Sequence, residues 1–302
     1  MNSQALLDDS RTLSAATLAH LQGWAGKTET LNDLLTAAPV RGLSAMLDRL
    51  DALPVPGTVL APLWHWLFFL PQHRQSEIGP DGHAKRGGFL PPVPLPRRMW
   101  AGGRLTWQAD NPLRVGETVV RSSRIESVTH KAGRTGDLLF VLVNHAYHNP
   151  QGLALTEEHD IVYRAAAQAG DPTPAPVAAE PGAAWQREMF ADDVLLFRYS
   201  ALTFNGHRIH YDRQYVTEVE GYPGLIVHGP LIATLLIDLV RCHVGDAFIT
   251  SFNFKVVRPT FDRHPLRLNA QPSADGQSVR VWAQDHEGWL TMQGNVTLGA
   301  RK

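Results

Sequence analysis

Residues 227–244, VHGPLIATLLIDLVRCHV, form one long apolar run with a proline near its start. Apolar residues recur there at spacings of three and four and also fill the other faces, which predicts a helix wrapped by protein. Pro230 suits the first helical position, because proline has no N–H to lose there and its φ is already helical. The residues that repeat are Leu231, Ile232, Leu235, Leu236 and Leu239.

Four strand-like runs follow this helix, separated by turn signals. They are SFNFKVVRPTF, LRLNAQPS, SVRVWAQDHEGW and LTMQGNVTLGA. One buried helix followed by an antiparallel meander predicts a sheet rolled around the helix, an α+β arrangement. Upstream of the helix, we interpret the run DVLLFRYSALTF as a further strand.

The first half of the chain ends in a similar series of three strand-like runs, broken by the turn sequences KAGRTGD and NPQG. These runs are LRVGETVVRSSRIESVTHKAG, DLLFVLVNHAYHN and LALTEEHDIVYR. Helices are predicted over about residues 14–26 and 42–53, ahead of an aromatic segment at 59–70 that we expect in the core. The likeness of the two series predicts a degenerate internal duplication.

A stretch rich in alanine, proline and glycine, AAAQAGDPTPAPVAAEPGAA, occupies residues 165–184 and has the composition of a linker. A chain of 302 residues also exceeds what one core usually serves. We therefore expect an N-terminal half with extra helices over 1–165, a linker over 166–185 and a C-terminal half over 186–302.

Composition narrows the setting of the protein. Lys+Arg number 28 against 29 Asp+Glu, so no global basic field recruits nucleic acid or an anionic membrane. Hydrophobic residues make up 44% without a membrane-length apolar run, which favours a soluble globular protein. The single cysteine, Cys242, excludes an intrachain disulfide framework. With Asp8 and Asp9 early in the chain and no signal-like segment, we expect a cytoplasmic protein.

Residues 203–212, TFNGHRIHYD, precede the buried helix and are rich in groups that can move protons. His207 and His210 titrate near physiological pH unless perturbed. The free amide of Gly229 at the helix start can stabilise a developing oxyanion, while His228 shapes the turn. A zinc or iron site built from these three histidines and Asp212 is the rival interpretation. We expect no metal, because carboxylates are few and a metal does not explain the Gly-Pro helix entry.

The segment FNGHRIHYD, followed by HG at the head of an apolar helix, resembles the hydratase-2 motif of MaoC-like (R)-specific enoyl-CoA hydratases. The wider chain is similar to one subgroup of that family through HWLFFLPQHRQSEIGPDGHAKRGGFLPPVPLPRRMWAGG, KAGRTGDLLFV, TEEHDIVYR and EGYPGLIVHGPL. This subgroup contains mesaconyl-C4-CoA (3-methylfumaryl-CoA) hydratases, itaconyl-CoA hydratases and mitochondrial type 2 hydroxyacyl-thioester dehydratases. The resemblance implies a double hot-dog fold, each half a sheet around a helix, with one working site mainly in the second half and no cofactor.

The family motif reads Asp, any residue, Asn, Pro, aliphatic, His, and its Asp and His hold and activate the water that adds to the double bond. Laid on this chain, the histidine falls on His210, the aspartate on Asn205 and the oxyanion amide on Gly229. The asparagine and proline positions fall on His207 and Arg208.

Asn205 departs from this motif, because a neutral amide cannot accept a proton as a carboxylate does. Its carbonyl oxygen can still orient a water molecule. Proton transfer then rests on His210, assisted by His207, by Asp212 or by an acid of the first half such as Glu157.

The resemblance implies a hydro-lyase that adds water to an enoyl-CoA, here a short branched dicarboxylic one such as mesaconyl-C4-CoA or itaconyl-CoA, giving citramalyl-CoA. A free carboxylate in the pocket calls for a cationic partner. Candidates for the carboxylate are Arg97, Arg98, Arg104 and Arg208, and candidates for the CoA phosphates are Arg86 and Arg258.

Three other functions stay open on the sequence: an (R)-3-hydroxyacyl-thioester dehydratase of fatty-acid metabolism, a hot-dog acyl-CoA thioesterase and a non-catalytic acyl-binding subunit. The thioesterase would use the same oxyanion amide but direct water at the carbonyl carbon. We expect an acyl-CoA as the small-molecule partner and a homodimer, because sheet edges in such folds often pair.

Overall fold

The structure, a computed structural model, describes residues 11–133, 135–166, 171, 174–245 and 247–299. In this part of the chain the strands are β1 (Thr28–Leu34), β2 (Arg97–Trp107), β3 (Thr118–Gly133), β4 (Gly136–Asn149), β5 (Gly152–Arg164), β6 (Trp185–Met189), β7 (Ile249–Val256), β8 (Leu266–Pro272), β9 (Ser278–Gln284) and β10 (Leu290–Leu298). The α-helices are α1 (Ala15–Gln22), α2 (Ala37–Met46), α3 (Asp193–Leu202) and α4 (Gly229–Arg241). Short 3-10 helices cover Trp64–Leu67, Gln75–Glu77 and Arg208–His210, and a π-helical turn covers Tyr215–Val219.

The strands form one antiparallel sheet in which the two halves repeat the same strand order. The first half runs β1-β3-β4-β5-β2 and the second runs β6-β8-β9-β10-β7. The halves join where β2 pairs with β7, with Gly102 opposite Lys255 and Thr106 opposite Ser251. The repeated order supports the predicted duplication, and the architecture is the expected double hot-dog.

Helix α4 is the buried helix that the apolar run predicted. Every residue from Leu231 to Val240 is buried, and the helix packs against strands of the second half. Each fully buried leucine or isoleucine contributes about 1.5–3 kcal/mol. The buried carboxylate of Asp238 lies within this helix and is paired with Arg49 at 2.6 Å and Arg187 at 2.8 Å, so its charge is compensated.

In the first half, the aromatic segment takes the place of a long helix. Its 3-10 helix Trp64–Leu67 is largely buried, as the core prediction required. Glu157 on β5 meets this segment, because its carboxylate lies 3.1 Å from Nε2 of His65 and accepts hydrogen bonds from Trp66 Nε1 and Tyr147 Oη, each at 2.9 Å. Glu157 therefore serves the core and does not line the cavity described below.

The strand interpretation of DVLLFRYSALTF is wrong, since these residues form α3. The side chain of Asp192 accepts a hydrogen bond from the amide of Leu195 at 2.8 Å and caps the helix. Leu196, Tyr199 and Ser200 face the core at helical spacing, while Phe197 faces solvent. The cap and the spacing of three and four outweigh the β propensity of the valine and aromatic residues.

Other boundaries also differ from expectation. In place of the helix predicted at 42–53, α2 begins at Ala37 and ends at Met46. The sequence analysis did not predict the strands β1, β2 and β6. Part of the predicted linker, 167–170 and 172–173, lies outside the described residues. Its later part runs beside the β9–β10 turn, where the Ala179 amide donates to Gly288 O at 2.9 Å. The domain limits at 165 and 185 stay a prediction. Across the described ranges, no helix combines the length and apolar character needed to cross a membrane.

Candidate active site

A cavity of about 350 Å³ opens where the two halves of the sheet meet. The first half lines it with residues 97–100 at the start of β2 and with Asp81 and His83 from the preceding loop. The second half lines it with the loop before α4 and with the start of that helix. The residues contributed by the second half include Asn205, His207, His210, Gly229 and Pro230.

His210 presents one defined ring nitrogen to chemistry. Its Nδ1 lies 2.7 Å from the carbonyl oxygen of Ile226, which only accepts hydrogen bonds. Nδ1 therefore carries the proton and Nε2 carries the lone pair. Burial lowers the pKa of His210 to about 4, although the hydrogen bond to Ile226 opposes this shift. At neutral pH His210 is thus a neutral imidazole able to accept a hydrogen bond or a proton.

His228 lies behind His210 and is fully buried. The two rings stack with centroids 3.7 Å apart, and Nε2 of His228 lies 2.9 Å from the hydroxyl of Ser200. Burial holds the pKa of His228 well below its ordinary value. His228 does not line the cavity, so the structure places it as the surface on which the His210 ring rests.

Gly229 begins α4, directly before Pro230. The N–H of a first helical residue has no carbonyl one turn earlier to bind, and it lies at the positive end of the helix dipole. A Cβ added at Gly229 would meet only Val256, at the ordinary distance of 3.8 Å. Close packing therefore does not require a glycine here, and the space beside the amide is open.

Asn205 lines the cavity, but its carbonyl oxygen is already engaged. The oxygen accepts a hydrogen bond from the amide of His207 at 3.0 Å, which closes a turn of the loop. A second lone pair of this oxygen remains, so its expected use to orient water stays a prediction. His207 itself faces the cavity, and its ring lies 5.4 Å from the ring of His210 and nearly perpendicular to it. Burial lowers the pKa of His207 to about 2.

Two candidates from the motif lie outside the cavity. Arg208 binds Asp212 through two nitrogens, at 2.9 and 2.7 Å, and its guanidinium lies 4.1 Å from the centre of the Tyr215 ring. Asp212 also accepts a hydrogen bond from the Tyr215 amide at 3.0 Å. Neither side chain lines the cavity, so this pair holds the loop in shape.

The other arginine candidates separate into two groups. Arg97, Arg98 and Arg258 line the cavity. Arg104 lies outside the cavity and forms an ion pair with Asp160 at 2.7 Å. Arg86 also lies outside it and donates hydrogen bonds to the carbonyl oxygens of Leu95 and Pro96. The structure therefore leaves Arg97 and Arg98 as candidates for a substrate carboxylate, and Arg258 for the CoA portion.

Sequence reasoning missed Asp81 and His83, which reach the cavity from the first half. Nδ1 of His83 lies 2.9 Å from the carboxylate of Asp81, and the rings of His83 and His207 lie 3.9 Å apart. The hydrogen bond from His83 holds the pKa of Asp81 well below its usual range, whereas burial lowers the pKa of His83 itself. The segment GPDGH reads as a turn in the sequence, and only the fold brings it to the motif.

Asp81, His83 and His207 also offer ligand atoms within 4.8 Å of one another. The rings of His83 and His207 are tilted by 39°, and a divalent cation on Nδ1 of His83 would have to displace its hydrogen bond to Asp81. The rival metal set from the motif is not assembled: Asp212 is bound by Arg208, and His228 is turned toward Ser200.

Comparison with known proteins places the chain among thioester-processing enzymes. The family model "Hydroxyacyl-thioester dehydratase type 2" matches residues 63–262. The chain is 44% identical to the mesaconyl-C(4)-CoA hydratase of Chloroflexus aurantiacus over 284 residues, 93% of this chain and 99% of the relative. It is 26% identical to the mitochondrial hydroxyacyl-thioester dehydratase type 2 of Schizosaccharomyces pombe, over 79% of this chain and 88% of that protein.

Among solved structures, the chain resembles a MaoC-like dehydratase with a TM-score of 0.67 and 14% identity, over 93% of this chain and 100% of the other. Identity at this level shows the fold alone. A Mycobacterium tuberculosis protein with a double hot-dog fold is also similar, with a TM-score of 0.56 and 13% identity over 91% of this chain and 96% of the other. These likenesses confirm the double hot-dog architecture.

Proposed function

Because the chain belongs to the hydroxyacyl-thioester dehydratase type 2 family and is a hydro-lyase acting on acyl-CoA, we propose that it hydrates a short branched dicarboxylic enoyl-CoA. Mesaconyl-C4-CoA is the leading substrate and citramalyl-CoA its product. One observation supports this choice most: the cavity that holds His210 and Gly229 also holds the arginines Arg97 and Arg98.

In the proposed reaction, the thioester carbonyl accepts a hydrogen bond from the Gly229 amide. Nε2 of His210 binds the attacking water, whose oxygen bonds to the β-carbon as its proton passes to the imidazoles on this wall of the cavity. The π electrons move toward the carbonyl, and the enolate oxygen is stabilised by the Gly229 N–H and the dipole of α4. A proton delivered to the α-carbon from the same wall completes a syn addition.

The free carboxylate of the acyl group is attached to the carbon that water attacks, so its partner must lie near His210. Arg97 is already tied to the carbonyl oxygen of Glu220 at 2.9 Å and to the hydroxyl of Tyr222 at 3.3 Å. Arg98 also hydrogen-bonds Tyr163, but its charge acts on the cavity histidines His83 and His207, so we assign the carboxylate to Arg98. The hydroxyl of Thr260 is buried in the cavity wall without a hydrogen-bond partner among the described residues and offers a further polar contact.

Three substrates assayed in parallel test the proposal. Hydration of mesaconyl-C4-CoA and crotonyl-CoA is followed by loss of the conjugated enoyl absorbance, and hydration of itaconyl-CoA, whose double bond is not conjugated with the thioester, by formation of citramalyl-CoA. We expect the dicarboxylic thioesters to react with the higher kcat/KM. Equal or better activity on crotonyl-CoA would contradict the dicarboxylic assignment. Release of free thiol together with the free unsaturated acid would favour the thioesterase alternative.

Arg98→Met probes the carboxylate contact, with Arg104→Met as the matched control outside the cavity. Losing a hydrogen-bonded charge contact of about 1.5–3 kcal/mol should raise KM for mesaconyl-C4-CoA by about 10- to 100-fold. KM for crotonyl-CoA should change little, because that substrate has no second carboxylate. Equal effects on both substrates would show that Arg98 does not bind the carboxylate. A cytoplasmic location and a homodimer stay predictions.

A further inference from the structure

The carboxylate that the motif lacks at Asn205 has a counterpart on the facing loop. We propose that His83, oriented by Asp81, is the second proton-transferring residue of this site and acts on the water that His210 holds. This inference rests on the proposed hydration.

The need for a second group follows from the surroundings of His210. Its Nδ1 faces a neutral carbonyl, and its ring lies against the buried ring of His228. A positive charge on His210 would therefore be poorly compensated, and its pKa of about 4 reflects this burial. His210 is suited to bind water through Nε2, but it is a weak acceptor for a full proton at neutral pH.

His83 has the partner that His210 lacks. Its Nδ1 lies 2.9 Å from one oxygen of Asp81, and its backbone amide donates to the other oxygen at 3.0 Å. With the Nδ1 proton on the carboxylate, Nε2 of His83 carries the lone pair. A proton taken up at Nε2 gives an imidazolium whose charge Asp81 compensates. Among the described residues, His83 is thus the cavity-lining histidine whose Nδ1 is hydrogen-bonded to a carboxylate.

The loop that carries this pair is fixed on the motif by close backbone packing. A Cβ at Gly82 would lie 1.7 Å from the carbonyl oxygen of Gly206, and a Cβ at Gly206 would lie 2.9 Å from that of Gly82. The Arg208 amide donates to Asp81 O at 2.9 Å, and its guanidinium donates to Pro80 O at 3.1 Å. Two glycines and one arginine therefore hold His83 beside the motif.

Several charged and titratable groups surround His83. Asp81 lies on its own loop, and the ring of His207 lies 3.9 Å from its ring, tilted by 39°. The charges of Arg98, at the start of β2, and of Arg86, in the segment before β2, also act on it. Burial lowers the pKa of His83 most, the hydrogen bond to Asp81 opposes this shift, and the arginines add to it. His83 is consequently neutral in the resting site and gains a compensated charge only when it takes a proton.

The proposed step is balanced. An O–H bond of the water breaks and its proton goes to Nε2 of His83, while the water oxygen bonds to the β-carbon and the π electrons form the enolate. The same proton then returns from His83 to the α-carbon, so the C–H bond forms and both residues end neutral.

Two variants, His83→Asn and Asp81→Asn, test the proposal, with His73→Asn as the matched control. His73 also lies beside a carboxylate, 4.0 Å from Glu77, but it is exposed and outside the cavity. We expect kcat on mesaconyl-C4-CoA to fall at least about 100-fold in His83→Asn, within the range for a lost acid–base group, with KM little changed. His73→Asn should keep the wild-type rate.

Asp81→Asn separates proton transfer from mere support of the loop. Without the carboxylate, His83 becomes less basic, so the acid limb of the kcat/KM profile should move to lower pH as the rate falls. A structural role would lower the rate without moving the limb. A wild-type profile and rate in both variants, with folding confirmed by circular dichroism, would overturn the inference while the hydration stands. A wild-type protein without hydratase activity would remove both proposals.

Treatment with a chelator distinguishes proton transfer by His83 from metal binding by the same residues. We expect protein treated with EDTA to keep full activity. Loss of activity that Zn²⁺ restores would overturn the inference, because Asp81, His83 and His207 would then act as ligands.

Discussion

The imidazole of His210 lies face to face with that of His228, with centroids 3.7 Å apart and planes inclined by 18°. Only His210 reaches the cavity, so His228 acts through the position of its neighbour. Positive charges on both stacked rings would repel each other, and burial disfavours a charge on either ring, so the pair stays neutral. The orientation of Nε2 of His210, to which we assign water binding, therefore depends on His228 and Ser200, which do not line the cavity.

Ser200→Ala removes the hydroxyl that fixes His228. A buried ring nitrogen left without its partner costs about 1–3 kcal/mol, so we expect the free energy of unfolding to fall by that amount. Urea unfolding measures the change. The matched control is Ser251→Ala on β7, where the hydroxyl has no hydrogen bond to the described residues. Equal stability of the two variants would show that the Ser200 contact does not fix His228.

The acid limb of kcat/KM should lie below the ordinary histidine value of about 6.5. In the proposed mechanism neutral His83 and neutral His210 are the active forms, and burial lowers the pKa of His83 and lowers that of His210 to about 4. Activity should therefore be level from pH 8 to about 6 and fall only as the pH approaches these lowered values. Initial rates on mesaconyl-C4-CoA across this range give the measurement. A limb centred near 6.5 would mean that these rings are open to water.

Stability should fall on mild acidification, well before carboxylates titrate. Burial lowers the pKa of His145 to about 4 and that of His159 to about 3, and it acts in the same direction on His228. Below about pH 6.5 these histidines bind protons in the unfolded chain but stay neutral in the folded protein. The free energy of unfolding therefore falls as the pH falls toward these lowered pKa values. Each such group contributes about 1.4 kcal/mol per pH unit.

Two variants check this slope between pH 7.5 and 5. His159→Asn should flatten the dependence of the free energy of unfolding on pH by about one proton. His243→Asn, in which an exposed histidine is replaced, should leave the slope unchanged. Identical slopes in both variants would show that burial of His159 does not drive the acid sensitivity.

Two glycines with nearly the same φ separate backbone strain from loop docking. Gly82 has φ +89° and a Cβ there would clash with Gly206, whereas Gly57 has φ +93° with open space around it. Gly57→Ala should cost stability alone, about 1 kcal/mol. Gly82→Ala should also lower kcat at least tenfold, because it displaces His83. Equal kcat values in the two variants would contradict this docking.

The sequence was sufficient to predict the features that depend on local patterns. Helix α4 and the four strands after it follow from apolar periodicity. His210 and Gly229 could be found because the loop and the helix start are close in sequence, and the structure brings both to one cavity.

The remaining features depend on contacts between distant segments. Asp81 and His83 reach the motif through a loop contact between residues more than 120 positions apart, for which the turn sequence gives no signal. Arg208 and Asp212 look catalytic in sequence but satisfy each other four residues apart. The helix α3 was missed because its apolar residues suit a strand equally well and the cap at Asp192 was not recognised.

The pairing of β2 with β7 turns one polypeptide into the equivalent of an asymmetric dimer. One partner supplies Arg98 and the Asp81–His83 pair, and the other supplies His210 and Gly229. A C-terminal half expressed alone would keep the hydratase motif, yet it would expose β7 as an edge strand open to aggregation. Each half therefore contributes only part of the cavity lining, and the cavity is complete only while β2 and β7 stay paired.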